Sequence, residues 1–151
     1  MIRIKRLDEM AGSNPVEMKS YDEDDAVNIE FVVGNETIGG AIVTEQYIDG
    51  LTEEYQDSVD DFDESAFRRF DHNGKICNLE DFWVERKFRG KGYSRFCLER
   101  LMEKYGDKQM ALRAFPDGGV DERTLVRLYS DYGFRVLQET SSDGTIMGKF
   151  I

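Results

Sequence analysis

Hydrophobic residues recur along this chain in two rhythms, and the points where the rhythm changes divide it into elements. Ile2 to Leu7 alternates and predicts a first strand, whereas Asp8 to Asp25 is polar, holds Pro15 and the cluster Asp22-Glu23-Asp24-Asp25, and predicts at most one short helix. Val27, Ile29, Phe31 and Val33 alternate, Gly34-Asn35 offers a two-residue turn, and alternation resumes from Thr37 to Ile48, which together predict a hairpin. Gly39-Gly40 inside its second arm predicts a bulge or a close backbone approach. From Asp49 to Asp71 the step lengthens: Leu51, Tyr55, Val59, Phe62, Ala66 and Phe70 recur three and four residues apart, the spacing of one amphipathic helix or two short ones.

The second half returns to strand rhythm at Ile76 to Val84, the expected centre of the sheet. Beyond a glycine loop, Leu98, Leu101, Met102 and Tyr105 form one helical face that stops at Gly106. Lys108 to Phe115 reads as a strand closed by Pro116-Asp117-Gly118-Gly119, and Asp121 caps a second helix carrying Leu125, Leu128, Tyr129 and Tyr132 up to Gly133. Phe134 to Leu137 and Thr145 to Ile151 form a last pair of strands around Asp143-Gly144. This order predicts an α/β (α+β) architecture, a mixed sheet with helices packed on it.

Composition narrows the classes. A chain of 151 residues, 40% of them hydrophobic, fits one domain with a packed core. No run of about 18 apolar residues occurs and the N-terminus alternates too quickly for a signal peptide, so a cytoplasmic protein with no membrane partner is expected. Cys77 and Cys97 have no second ligand at metal spacing, so two buried free thiols and no metal site are expected. His72, the one histidine, lies in the polar turn Asp71-His72-Asn73-Gly74 and reads as a surface residue, with a general base as the alternative. A net charge of −11 argues against nonspecific nucleic-acid binding and favours small cationic partners. Asp49 to Asp71 holds nine acids against Arg68 and Arg69, either a solvated helix face or a negative wall beside a cation-binding groove.

The chemistry concentrates in Leu79-Glu80-Asp81-Phe82-Trp83-Val84-Glu85-Arg86-Lys87-Phe88-Arg89-Gly90-Lys91-Gly92-Tyr93-Ser94. An apolar strand feeding a basic glycine loop at a helix N-terminus gathers unpaired amides and the positive end of the helix dipole, which suits a phosphate. A nucleoside-triphosphate loop of the form G-x-x-x-x-G-K-[ST] does not fit these residues. A dinucleotide fingerprint needs a third glycine where Arg95 stands and an acid at the end of the next strand, and Lys108 to Phe115 carries none.

The segment Val84 to Ser94 resembles the coenzyme A loop of the GCN5-related N-acetyltransferases (GNAT), whose signature is Gln or Arg, two residues, Gly, one residue, then Gly or Ala. Arg89, Gly92 and Ser94 occupy those positions, with Ser94 a small-residue departure. Leu128-Tyr129-Ser130-Asp131-Tyr132-Gly133-Phe134 is similar to the family's "LYxxxGF" helix ending, and Leu79-Glu80-Asp81-Phe82-Trp83-Val84 is similar to the "LEDFFV" strand of spermidine/spermine N-acetyltransferases. The resemblance spans about Val27 to Leu137.

It implies the GNAT fold, a mostly antiparallel mixed sheet with splayed central strands, and acetyl-CoA as donor. Backbone groups of Phe82, Trp83 and Val84 would pair with the pantetheine arm, and the amides of Arg89, Gly90, Lys91, Gly92, Tyr93 and Ser94 would hold the pyrophosphate, with Arg86, Lys87, Arg89 and Lys91 adding charge. Tyr129 matches the tyrosine that protonates the departing thiolate, and Glu80 matches a glutamate that works as base through a water. Glu80 or Asp81 would alternatively clamp a cationic substrate, their side chains on opposite sheet faces by strand alternation. The family's cofactor-contacting Asn falls at Glu122, so that contact is not carried over. The function implied is acetyl transfer to a primary amine of a small cationic, polyamine-like substrate by direct attack on the thioester. Protein N-terminal or lysine acetylation, and a non-catalytic acyl-CoA-binding module, are the alternatives. Family members are often dimers, which makes a homodimer one expected assembly.

Overall fold

The computed structural model describes residues 13–116 and 120–151, so the alternating segment Ile2 to Leu7 and the turn residues Asp117 to Gly119 lie outside the described residues. The described residues form seven strands: β1 (Glu17–Glu23), β2 (Ala26–Val33), β3 (Glu36–Tyr47), β4 (Lys75–Val84), β5 (Met110–Ala114), β6 (Arg135–Glu139) and β7 (Thr145–Lys149). The helices are α1 (Ile48–Ser58), α2 (Tyr93–Tyr105) and α3 (Glu122–Ser130), with 3-10 turns at Glu64–Phe67 and Arg86–Phe88. The strands form a sheet in the order β1-β2-β3-β4-β5-β7-β6, antiparallel throughout except for β4 beside β5. β4 is therefore central, as its apolar run predicts.

β1 replaces the polar, at most briefly helical stretch expected before Asp25. It is an edge strand exposed along nearly its whole length, so no alternation marks it. The ladder from Glu17 opposite Val32 to Glu23 opposite Ala26 holds it, closed by Asp24 at φ 54. Arg100 on α2 ties its approach, donating from Nε to the Val16 carbonyl at 2.7 Å.

Each sheet face carries its own core. Along β5, Met110 and Leu112 look into a cluster shared with Leu98 and Leu101 of α2, Phe31 and Tyr129, while Ala111 between them looks into the other. That second core belongs to the acidic segment, which forms one α-helix and one 3-10 turn: Ile48, Leu51, Tyr55, Val59, Phe67 and Phe70 pack on Ile76 and Ile146. Phe67 stands 5.1 Å from both the Tyr55 and Phe62 rings, in edge-on or tilted contacts. Burial of each such Leu or Phe side chain contributes about 1.5–3 kcal/mol, which offsets the cost of ordering so charged a segment. Buried Gln109 clamps its end: it accepts from Asp71 N and donates to the Asp71 and Lys75 carbonyls.

The remaining elements follow their patterns closely. Asp121 caps α3, accepting from Thr124 N at 2.8 Å, and Ile48 opens α1 rather than ending β3. Cys77 and Cys97 are buried free thiols, pushed up to about 11 and about 12 chiefly by that burial. No described helix is long and apolar enough to cross a membrane.

Candidate active site between two parting strands

The parallel pairing of β4 with β5 ends early. Cys77, Asn78 and Leu79 face Met110, Ala111 and Leu112, and past that point the strands part. Glu80 to Val84 thus keep β3 on one edge, with Phe82, Trp83 and Val84 opposite Ala41, Gly40 and Gly39, and turn the other edge into a gap. That gap opens into a cavity of about 980 Å³ lined from β4, the loop after it, α1, β5 and α3. Its size lies at the upper end for small-molecule and cofactor sites.

At the loop, Gly90 and Gly92 have φ of 77 and 85, a left-handed conformation that glycine adopts without strain. Gly92 sits immediately before α2, whose first amides receive no side-chain cap. The N-terminus of α2 thus offers amide donors and the positive end of its dipole to an anion. Arg89 folds back, donating from Nε to the Val84 carbonyl at 2.8 Å and fixing the loop to the strand end.

Of the residues expected to hold a coenzyme, Phe82, Trp83, Val84, Arg89, Gly90, Gly92 and Ser94 line this cavity. Lys91 and Tyr93 lie outside its lining; the Tyr93 ring packs 5.9 Å from Phe88. Lys87 turns away from the cavity and pairs with Glu36 of β3 at 2.9 Å, so its charge serves an exposed surface bridge. Glu122, at the family's Asn position, accepts a hydrogen bond from the buried Thr145 hydroxyl.

Glu80 and Asp81 both line the cavity. Between Ile42 and Val43 the β3–β4 register shifts: Ile42 pairs with Asp81 and Val43 with Leu79, leaving Glu80 as the extra residue of a bulge. Leu79 and Phe82, three apart, consequently share one core, which strict alternation forbids. Strict alternation is interrupted at this bulge.

Burial, then the charges of Glu54 and Asp81, raise the Glu80 carboxyl above its usual range. A raised carboxylate stabilises the fold fully below its unfolded value, about 4.3 for Glu, and loses that contribution as pH climbs through the folded value. Glu80→Gln is therefore expected to match or exceed the wild type in stability at pH 7 and to lose that advantage below about pH 4. Urea midpoints at the two pH values check this, and a variant less stable at pH 7 contradicts it.

Tyr129 is 6% exposed, its ring 6.3 Å from Phe82 and 5.9 Å from Phe134. It lines the cavity, and no described residue hydrogen-bonds its hydroxyl. Burial first, and the Asp81 charge second, push its phenol well above the ordinary value, so it stays protonated at working pH. Tyr55 on α1 mirrors it across the gap, donating to Asn78 Oδ1 at 2.9 Å.

Glu54 and Tyr55 of α1 and Arg113 of β5 join the lining without having been singled out individually. Arg113 was visible in principle as a charge near the C-terminal end of an apolar strand, where open α/β sheets place their ligands. Its guanidinium lies 5.7 Å from the Phe115 ring centroid and 3.6 Å from Asp143.

No protein-family model matches the sequence, and no curated protein matches it. Solved structures do match in fold. A histone acetyltransferase-related acetyltransferase from Corynebacterium glutamicum is 17% identical with a TM-score of 0.54, over 83% of this chain and 64% of that one. A ribosomal-protein alanine N-acetyltransferase from Escherichia coli is 15% identical with a TM-score of 0.52, over 93% and 74%. A GNAT family acetyltransferase from Elizabethkingia anophelis with acetyl-CoA bound is 14% identical with a TM-score of 0.51, over 89% and 95%. The chain spans under two thirds of the Corynebacterium protein, and 60% of the PaiA N-acetyltransferase from Thermoplasma acidophilum. Together with the mostly antiparallel seven-stranded sheet, these likenesses show the acyl-CoA N-acyltransferase (GNAT) fold.

Proposed function

We propose that this chain is an acetyl-CoA-dependent N-acetyltransferase that acts on a primary amine of a small cationic, polyamine-like substrate. The observation that carries the reading is the parting of β4 from β5, which leaves an unpaired strand edge running into an uncapped helix N-terminus. An extended amide-bearing arm pairs with the first and a pyrophosphate with the second, a demand that coenzyme A meets in one molecule. The chain acts as one N-acetyltransferase domain, with residues 49–74 as an acidic insert.

Bound there, acetyl-CoA supplies a thioester carbonyl for attack by a neutral amine and a thiolate as leaving group. Phe82, Trp83 and Val84 would hold the arm through their free backbone edge, and the amides of Arg89, Gly90, Lys91, Gly92, Tyr93 and Ser94 would hold the pyrophosphate. Glu80, its proton affinity raised by burial and neighbouring acids, takes the ammonium proton through a water and frees the nitrogen lone pair. Tyr129, protonated at working pH, would supply the proton that the departing thiolate needs. Asp81, beside both, attracts the cationic acceptor into the gap.

A second reading, acetylation of a protein N-terminus or lysine side chain, draws support from the Escherichia coli neighbour, named for a ribosomal-protein alanine. Thiol release from acetyl-CoA, measured against polyamines, N-terminal peptides and lysine peptides, tests the proposal. Release fastest with a polyamine is expected. Release with peptides alone moves the acceptor to the second reading, and none with any amine, while acetyl-CoA still binds, identifies a non-catalytic module.

A further inference from the structure

The α1 side of the cavity holds a buried polar pair that none of the steps above uses. Asn78 of β4 is 4% exposed and lines the cavity, and Tyr55 of α1, also buried, donates to its Oδ1 at 2.9 Å. That bond fixes which way the amide points. With Oδ1 held by the phenol, the Nδ2 end has no partner among the described residues. A buried amide donor that lines a cavity and lacks a protein acceptor marks a position for a ligand or a water. Its place on the strand says which. Asn78 lies two residues before Glu80, and up to Leu79 the ladder with β3 is regular, Thr44 opposite Asn78 and Val43 opposite Leu79. Leu79 packs into the core under α2, whereas Asn78 meets Tyr55 of the α1 core, so the residues flanking Leu79 turn toward α1. Two such residues stand about 6–7 Å apart along a strand, a separation that one water bridges with a hydrogen bond to each side chain.

Resting on the acetyltransferase reading, we infer that Asn78 is a positioning residue that holds the proton-relay water between the acceptor nitrogen and Glu80, and that Tyr55 orients it for this task. The water accepts from Asn78 Nδ2 and from the ammonium and donates to the Glu80 carboxylate, which occupies both of its lone pairs and one of its protons. In the transfer an ammonium N–H bond breaks as an O–H bond forms on the water, and the water passes its own proton to Glu80. The nitrogen keeps the electron pair with which it attacks the thioester carbonyl. Asn78 neither gains nor loses a proton. By donating to the water it makes the water a better donor to the carboxylate, and a hydrogen bond to the charged form favours that form. The other charged or titratable groups that share the cavity with Glu80 are Glu54 and Tyr55 of α1, Asp81 of β4, Arg113 of β5, and Arg127 and Tyr129 of α3, and a change at Asn78 alters none of them.

The test compares Asn78→Ala and Tyr55→Phe with Asn14→Ala. The last removes a buried amide outside the cavity lining, one that donates to the Phe96 carbonyl at 2.9 Å, and so controls for destabilisation alone. One readout is kcat/KM for thiol release from acetyl-CoA against pH, with putrescine, or with a peptide if peptides alone are acetylated. The other is the carbon-13 carboxyl NMR titration of Glu80 in the free protein, its signal assigned with Glu80→Gln. Asn78→Ala is expected to lower kcat/KM about tenfold with acetyl-CoA affinity kept, and to move the acid limb and the Glu80 midpoint together by about half a pH unit upward. Tyr55→Phe is expected to move both in the same direction by less, and Asn14→Ala to lower the urea midpoint while moving neither. A limb and a midpoint unmoved by Asn78→Ala and Tyr55→Phe, or moved equally by Asn14→Ala, overturn the relay and leave the acetyltransferase standing. A raised KM for the amine with an unmoved pH profile assigns Asn78 to the acceptor and likewise overturns the relay alone. Absence of thiol release by the wild type with any amine overturns both.

Discussion

Tyr129→Phe is expected to lower kcat/KM by about 10²- to 10⁴-fold, the usual share of a positioned general acid, while acetyl-CoA affinity stays unchanged. The two side chains differ by one hydroxyl, and no described residue hydrogen-bonds that hydroxyl. The ring contacts with Phe82 and Phe134 survive the substitution, so the urea midpoint should stay close to that of the wild type. A structural role gives the opposite signature, because a core aromatic that merely fills space is indifferent to losing an oxygen the core does not bind. Turnover by single- and multiple-turnover thiol release, coenzyme affinity by titration and the urea midpoint separate these roles. Wild-type turnover in Tyr129→Phe removes this residue from proton transfer.

Gly39→Ala is expected to destabilise the fold by about 1–3 kcal/mol and to weaken acetyl-CoA binding with it. A methyl group at position 39 would fall on the Trp83 carbonyl oxygen and come within 3.0 Å of the Val84 Cα, both of them backbone atoms that cannot rotate aside. Gly40 is equally constrained, since a Cβ there would meet the Ile29 carbonyl oxygen at 2.7 Å and the Trp83 ring at 2.5 Å. The only relief is for β3 and the end of β4 to separate, and the end of β4 is the edge offered to the pantetheine arm. Stability and coenzyme affinity should therefore fall together. A Gly39→Ala protein with wild-type urea midpoint and wild-type affinity contradicts this coupling.

The glycine pair was legible as a close approach because Gly39-Gly40 interrupts an alternating run, and the structure adds a bulge at Phe31–Val32 opposite it. The same holds for the path from β4 through Gly92 into α2, where apolar alternation, glycine and helical spacing follow one another within a few residues. Local pattern carries such elements because each is specified by its own sequence. β1 was illegible for the converse reason: an exposed edge strand buries no face, so its pairing with β2 leaves no periodic trace. The bulge at Glu80 depends on which residues of β3 lie opposite, a property of two strands rather than one. Non-local contacts likewise decide where the segment after β3 goes. Its amphipathic spacing predicted helix, but only packing on Ile76 and Ile146 places Glu54 at the cavity. Lys87 shows the limit of composition: a cation within the loop reads as a phosphate ligand, until Glu36 on the neighbouring hairpin takes it.

Binding of coenzyme A in the gap between β4 and β5 is the premise on which acceptor, acid and base all depend, and titration calorimetry of the full chain tests it most directly. Acetyl-CoA is expected to bind with one equivalent per chain and, at about 100 times its dissociation constant, to add about 2.7 kcal/mol to unfolding stability, whereas ATP and NAD do not bind. No heat and no stabilisation with acetyl-CoA, or equal binding of ATP or NAD, would contradict it.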